Sequence, residues 1–251
     1  MTVTDVEGFS ASGVASGIKS NKELDLALVA TEDRKPVSAA GVFTSNKMTA
    51  APVLVTIKHL QATGGFASAV VLNSGNANAA TGTQGLIDAE RMCQLTAQDL
   101  GCESSEVLVC STGWIGYPLP MEAVTYGIKN AIDSLGSEQG TTAAKAIMTT
   151  DTVPKNTFVE AKGFSVGGIS KGAAMLQPNM ATMLSVLTTD AVVHPKEATR
   201  LLQQAVSVSF NCLTLFPFIP HASIKDKHSS ILFDISLNLF AFSSLTKFKF
   251  H

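Results

Sequence analysis

The chain has 251 residues, 45% of them hydrophobic and 15% charged, with a formal net charge of −2. That is enough apolar material for one large domain or two modest ones, and the charge shows no basic stripe or acidic run with which to meet a nucleic acid or a membrane surface. Four cysteines, Cys93, Cys102, Cys110 and Cys212, lie scattered without a C-x-x-C pair or a histidine at ligand spacing, which predicts reduced, buried thiols and neither a metal site nor a disulfide framework.

Met1-Thr-Val-Thr-Asp5 carries neither the positive and apolar regions of a secretory signal nor the Arg/Ser bias of a transit peptide. Strands are expected at Leu26 to Ala30, Ala39 to Phe43, Pro52 to Ile57, Ala67 to Leu72 and Val107 to Cys110, short apolar runs mostly flanked by Gly, Asn, Ser or Thr. Asn73-Ser-Gly-Asn-Ala-Asn78 reads as a tight turn leaving a strand. Leu86, Ala89, Cys93, Ala97 and Leu100 recur at helical spacing and stop at Gly101, and Met121, Val124, Ile128, Ile132 and Leu135 do so before Gly136, each glycine a candidate C-terminal cap. Phe158 to Gly168 reads as a hairpin closing on Gly167-Gly168, Met183 to Leu187 as a strand, and Pro195 to Val206 as a helix with proline in its first turn. The fold class is α/β (α+β), without internal repeats and without an apolar run of the ~18–20 residues that span a bilayer.

From Leu213 to His251 the composition shifts. Glycine disappears, eight of the thirteen phenylalanines fall between Phe210 and Phe250, and the apolar residues keep neither period 2 nor period 3.6. This tail is expected to be poorly specified, the alternative being a hydrophobic interaction tail that meets a partner surface.

Chemistry concentrates in four segments. In Lys171-Gly-Ala-Ala-Met-Leu-Gln-Pro-Asn-Met-Ala181-Thr182-Met-Leu184 a small residue precedes a threonine, with a lysine upstream and a β-rich run after it. Self-cleavage of the Ala181-Thr182 bond would free the α-amine of Thr182 to act as base for its own hydroxyl, and such an amine, titrating near pH 7.7–8.0, is partly unprotonated at neutral pH. Ser111-Thr112-Gly113 offers a hydroxyl and a backbone N–H beside a glycine, a donor pair for an oxyanion. Thr149-Thr150-Asp151-Thr152 clusters hydroxyls before Pro154, and Lys171 supplies a cation. Singly, each has a plainer reading as a turn, a helix cap or a solvated charge. Gly167 to Gly172 fits neither phosphate-binding glycine pattern.

Together and in this order, the segments resemble the ornithine acetyltransferases, or glutamate N-acetyltransferases, of arginine biosynthesis. The likeness runs through Gly13-Val-Ala-Ser-Gly-Ile-Lys19, Ala40-Gly-Val-Phe-Thr-Ser-Asn46, Ala51-Pro52, Asn73-Ser-Gly-Asn-Ala-Asn-Ala-Ala-Thr-Gly82 and Ser111-Thr-Gly-Trp-Ile-Gly116. It continues through Met148-Thr-Thr-Asp-Thr152, Gly167-Gly-Ile-Ser-Lys-Gly172, Pro178-Asn-Met-Ala-Thr-Met-Leu184 and Ser209-Phe-Asn211. The resemblance implies an N-terminal-nucleophile-type fold cut at Ala181-Thr182, with 1–181 as α chain, 182–212 as the start of the β chain, and 213–251 unlike the family.

It further implies acetyl transfer from N2-acetyl-ornithine to glutamate through an acetyl-threonine on Thr182. Thr112 and Gly113 would form the oxyanion hole, and Thr149, Thr150, Lys171 and Thr182 would bind substrate. No cofactor is implied, although some members take acetyl-CoA as donor. The expected partners are small-molecule substrates and the α and β chains themselves, as a heterotetramer. Two departures stand out: Lys171-Gly-Ala-Ala-Met175 replaces the family's Lys-Gly-Ser-Gly-Met, and the family's long β chain, with its glutamate and C-terminal contacts, does not follow Asn211. A fragment associating with full-length subunits, or an N-terminal-nucleophile amidohydrolase, are the alternatives. The compartment, plastid, mitochondrion or bacterial cytoplasm, is left open.

Overall fold

Two β-sheets face one another between outer helices. The computed structural model describes residues 1–173, 183–212 and 238–243. In chain order the elements are β1 (Phe9–Val14), β2 (Leu26–Thr31), β3 (Val37–Phe43), α1 (Ala51–Ala62), β4 (Phe66–Ala67), β5 (Ala69–Asn76), α2 (Gly82–Leu100), β6 (Val107–Trp114), α3 (Met121–Asp133), α4 (Gly140–Ala146), β7 (Lys155–Ala161), β8 (Phe164–Lys171), β9 (Leu184–Thr189), α5 (Pro195–Ser207) and β10 (Asn238–Ser243). One sheet has the order β1-β2-β5-β6 and the other β4-β3-β10-β9-β8-β7.

Strand alternation builds the layers. In β2, Ala27 and Val29 face the second sheet and join Phe9, Val70, Leu72, Leu108, Cys110, Ile169, Leu184 and Val186 in the core between the sheets. Leu26, Leu28 and Ala30, one register over, pack instead on Met92, Cys93 and Ala97 of α2 and Val124 and Ile128 of α3. The first sheet is thus buried on both faces, which is why β2 and β5 read as unbroken apolar runs. On the far face of the second sheet, Ala198, Leu202 and Val206 of α5 cover Ala40 and Met183. Each such leucine or valine contributes about 1.5–3 kcal/mol of apolar transfer.

The α/β content and most elements match expectation, including α2 ending on Gly101 at φ 77° and α5 starting with Pro195. The run Pro52 to Ile57, expected as a strand, is instead the start of α1: proline sits in its first turn, and Val53, Thr56 and His59 share its buried face at helical spacing. Helix α1 covers β6, the edge of the first sheet. Thr56 Oγ1 donates to the Val109 carbonyl at 2.9 Å and accepts from the Val109 N–H at 3.0 Å, and His59 Nδ1 lies 2.8 Å from the Val107 carbonyl. A sheet edge is thereby closed by side chains.

Other expectations shift. Ser111 to Gly113 continue β6 rather than follow it, and Asn73 to Asn76 continue β5, because the two strands stay paired in parallel to Gly75 and Gly113 before a bulge at Asn76. The β7–β8 hairpin turns at Lys162-Gly163, with Gly163 at φ 92°, while Gly167 and Gly168 lie inside β8 opposite Phe158 and Thr157. Gly167 is glycine for a packing reason, since a Cβ there would stand 2.3 Å from the Thr2 carbonyl oxygen. Gly136 caps no helix; α3 ends at Asp133, and Gly136 exchanges backbone hydrogen bonds with Ala11 at 3.0 and 3.1 Å.

Within the tail, Asn238–Ser243 forms β10, antiparallel to β3 and parallel to β9. Aperiodic apolar composition gave no expectation of a strand there, since a strand between two others need not alternate.

Candidate functional site

The ends of β5, β6 and β8 meet the loop between α4 and β7. Thr112, on β6, is fully buried, and Lys171, the last residue of β8, is 3% exposed. The Lys171 ammonium donates to Thr112 Oγ1 at 2.9 Å. Alternation explains the meeting: Cys110 faces the inter-sheet core, so Thr112, two residues on, points the same way toward β8.

Beside Thr112 the backbone departs from a regular strand. Gly113 has φ 132°, and a Cβ on it would lie 2.3 Å from the Gly75 carbonyl carbon and 2.5 Å from the Asn76 nitrogen. No side chain fits between these strands, so the close approach of β5 and β6 requires glycine here. Ser74, the register partner of Thr112, donates to the Ala146 carbonyl at 2.6 Å and so fastens β5 to the end of α4. Trp114 and Tyr117 follow, 57% and 61% exposed, their rings edge to face with centroids 6.5 Å apart.

A second set of contacts holds the loops. Asp25, fully buried, accepts from Ser16 N (2.6 Å), Ser16 Oγ (2.7 Å), Gly17 N (3.1 Å) and Lys19 N (2.8 Å). Lys19, so placed, donates to the carbonyls of Leu24 and Met148, both at 2.9 Å. Burial lowers the pKa of Lys19, with Glu23 and Asp25 opposing the shift. Met148 leads into Thr149 and Thr150, both exposed, and then into Asp151, whose side chain is wholly buried. Asp151 Oδ1 accepts from Gly172 N at 2.8 Å and from the Lys155 ammonium, and Oδ2 accepts from Thr149 N at 3.4 Å.

Of the expected site residues, Thr112, Gly113 and Lys171 are brought together, and Thr149 and Thr150 are tied to the residue after Lys171 through Asp151. Ala181 and Thr182 lie outside the described residues; Met183 follows them, and Leu184 pairs with Lys171 across β8 and β9. Sequence reasoning passed over Asp151, Asp25, Lys19 and Ser74. Their signal was weak, for each is one polar residue in a loop or strand end and declares itself only through partners far along the chain. Cys93 and Cys110 are buried as expected, whereas Cys102 is only half-buried; burial pushes the Cys93 and Cys102 thiols up, Cys102 to about 11, which disfavours the thiolate. Among the described residues no cluster of His, Cys, Asp or Glu is placed to hold a metal ion, and no helix is long and apolar enough to cross a membrane.

The chain is similar to known proteins in both sequence and fold. The model of the ArgJ family matches residues 10–215. The arginine biosynthesis bifunctional protein ArgJ of Geobacter sulfurreducens is 46% identical over 218 residues, covering 84% of this chain and 54% of the relative. The crystal structure of ornithine acetyltransferase from Mycobacterium tuberculosis, complexed with ornithine, superposes with TM-score 0.67 at 42% identity, covering 72% of this chain and 96% of that one. The arginine biosynthesis bifunctional protein of Bacillus halodurans gives TM-score 0.65 at 41% identity, over 72% of this chain and 95% of its own. The chain spans about half the length of the curated relatives it matches.

Proposed function

The chain belongs to the ArgJ family, and from that premise we propose that it carries the nucleophile and oxyanion side of an acetyl transfer from N2-acetyl-L-ornithine to L-glutamate. Hydrolysis of the Ala181–Thr182 peptide bond by one water leaves a carboxylate on Ala181 and frees the α-amine of Thr182. The Thr182 hydroxyl then attacks the acetyl carbonyl of N-acetyl-ornithine, giving its proton to that α-amine. The amide C–N bond breaks, ornithine leaves with the proton returned from the α-ammonium, and the acetyl group stays on the threonine oxygen. Glutamate's amine attacks this ester, the ester C–O bond breaks, and N-acetylglutamate departs as the threonine hydroxyl recovers a proton. Both half-reactions balance without a redox cofactor; acetyl-CoA would enter as an alternative acetyl donor to the same oxygen.

The observation that carries this reading is the buried contact of Lys171 with Thr112. The ammonium donates to Thr112 Oγ1, so the hydroxyl proton of Thr112 is directed to some other acceptor, and a neighbouring cation makes that O–H a stronger donor. Thr112 and Gly113 are the proposed oxyanion residues, and one such donor is worth about 10²–10³ in rate. Thr149, Thr150 and Lys171 are the proposed substrate contacts, and α and β chains as a heterotetramer the proposed assembly. A second reading is a non-catalytic fragment that at most associates with full-length subunits.

The test uses the whole chain, incubated with N-acetyl-ornithine and glutamate, with and without a full-length relative rendered inactive at its own nucleophile. Scission at 181/182 by intact mass, together with N-acetylglutamate that vanishes in Thr182→Ala, is expected. Product from an unbroken chain overturns the mechanism, and no product with a stable uncut chain selects the second reading.

A further inference from the structure

Asp151 has no part in the acetyl transfer as written above, yet it joins the loop after α4 to the end of β8. Its side chain is 0% exposed, although it sits in a loop between α4 and β7. One oxygen accepts from the Gly172 N–H and the Lys155 ammonium, the other from the Thr149 N–H. We propose that Asp151 is a positioning residue, tying the Thr149–Thr150 loop to the point where β8 ends and so setting the Lys171 ammonium against Thr112. The proposal rests on the reading that Lys171 and Thr112 belong to the site.

The geometry requires such a residue. Lys171 is the last β8 residue in the ladder, opposite Leu184, and Gly172, at φ 147°, lies past the end of that ladder. What holds the Gly172 amide is Asp151. On the other side, the loop is fixed just upstream by Lys19, which donates to the Met148 carbonyl. An unbroken polar path therefore runs from Lys19 through Met148, Thr149, Asp151 and Gly172 to Lys171 and Thr112.

Asp151 acts through these groups rather than on a substrate. Both its oxygens accept from donors of the protein and its side chain is closed to solvent, so no substrate reaches it to exchange a proton. Burial alone would raise its pKa, but the Lys155 hydrogen bond, the Gly172 N–H, the Lys155 charge and the Thr149 N–H outweigh burial and lower it. It stays a carboxylate, and a poor base.

The test is competitive labelling of lysines in the full chain with an amine-acylating ester, read peptide by peptide by mass spectrometry. In the wild type Lys196, which is exposed, labels fast and Lys171 slowly. Asp151→Asn is expected to speed Lys171 labelling by at least ~tenfold, since a lost charge-assisted hydrogen bond favours local opening by more than one decade, with the rates of Lys19 and Lys196 unchanged. A merely structural loss would raise Lys19 as well. Unchanged Lys171 labelling in a folded Asp151→Asn chain overturns the proposal. Should that variant unfold, with Lys19 and Lys171 both labelling at the Lys196 rate, Lys155→Gln decides, since it removes only the partly exposed cation. Several-fold faster Lys171 labelling there supports the proposal, and no change overturns it. Absence of N-acetylglutamate from a chain whose Lys171 is protected would count against the acetyl-transfer reading alone.

Discussion

The ammonium of Lys171 lies 2.9 Å from the hydroxyl oxygen of Thr112, across 59 residues of sequence and between two different sheets. Such a contact holds the sheets in register at the end where the site forms. A cation this deeply buried is costly to desolvate, and the arrangement is sensible only if the charge is used.

Lys171→Met tests that use. The methionine keeps most of the lysine stem's apolar packing, so the unfolding free energy from urea denaturation should fall by about 1.5–3 kcal/mol, the range for a charged hydrogen bond. Acetyl transfer, measured as N-acetylglutamate formed, should fall about 10²-fold or more, as when an oxyanion donor is removed. Equal turnover in the two proteins would show that Lys171 is a structural cation.

Gly113→Ala should be far more damaging than its size suggests. The added methyl would fall 2.3 Å from the Gly75 carbonyl carbon, so β5 and β6 must part or the chain must find another path, at a cost of about 2–3 kcal/mol or more. Gly163→Ala is the control. Its φ of 92° is also positive, but nothing lies within 4 Å of the new Cβ, leaving only backbone strain of about 1–2 kcal/mol. Parallel urea denaturations would show a clear gap between the two variants, and identical midpoints would deny the close approach.

What the sequence showed and what it hid divide along a physical line. β2, β3, α2 and α5 were legible because burial imposes a period and a glycine or proline marks an end. The Pro52 to Ile57 run was not, because a short apolar stretch rich in valine is a strand by composition and a helix only by what it covers, here the edge of β6. Thr112, Gly113 and Lys171 were singled out by the company they keep along the chain, but the contact of Lys171 with Thr112 was not, since nothing local says that β6 and β8 end at one point. Asp151 stayed hidden for the same reason: amid three threonines it reads as polar loop, and its partners at Lys155 and Gly172 are set by the β7–β8 pairing. Asn238–Ser243 had neither period nor punctuation to announce it.

Thr56→Val isolates the edge closure. The substitution is close to isosteric, yet it removes both hydrogen bonds that Thr56 Oγ1 makes to the Val109 carbonyl and N–H. Two buried backbone groups would then face a methyl, at about 1–3 kcal/mol each, offset in part by valine's larger apolar area. A net destabilisation of roughly 2–4 kcal/mol by urea denaturation is expected. A neutral effect would mean that water reaches the edge of β6 and that α1 does not seal it.

Glu90, which joins α2 to α1, should contribute to acid sensitivity. Its carboxylate accepts from the Lys58 ammonium at 2.5 Å and meets His59 Nε2 at 3.1 Å. Partial burial pushes its pKa up, but the hydrogen bonds from Lys58 and His59 and their charges prevail, and the net shift is downward from 4.5. A folded-state pKa below the unfolded one means that the folded protein binds this proton less readily. The stabilisation is therefore complete above about pH 4.5 and is lost as the pH falls through the lowered value. Glu90→Gln has no such proton to take up. Its stability against pH, from urea midpoints taken between pH 6 and pH 3, should be lower at the neutral end and flatter below about pH 4.5 than the wild type, the two curves converging in acid. Curves that run parallel throughout would place the acid sensitivity on other carboxylates.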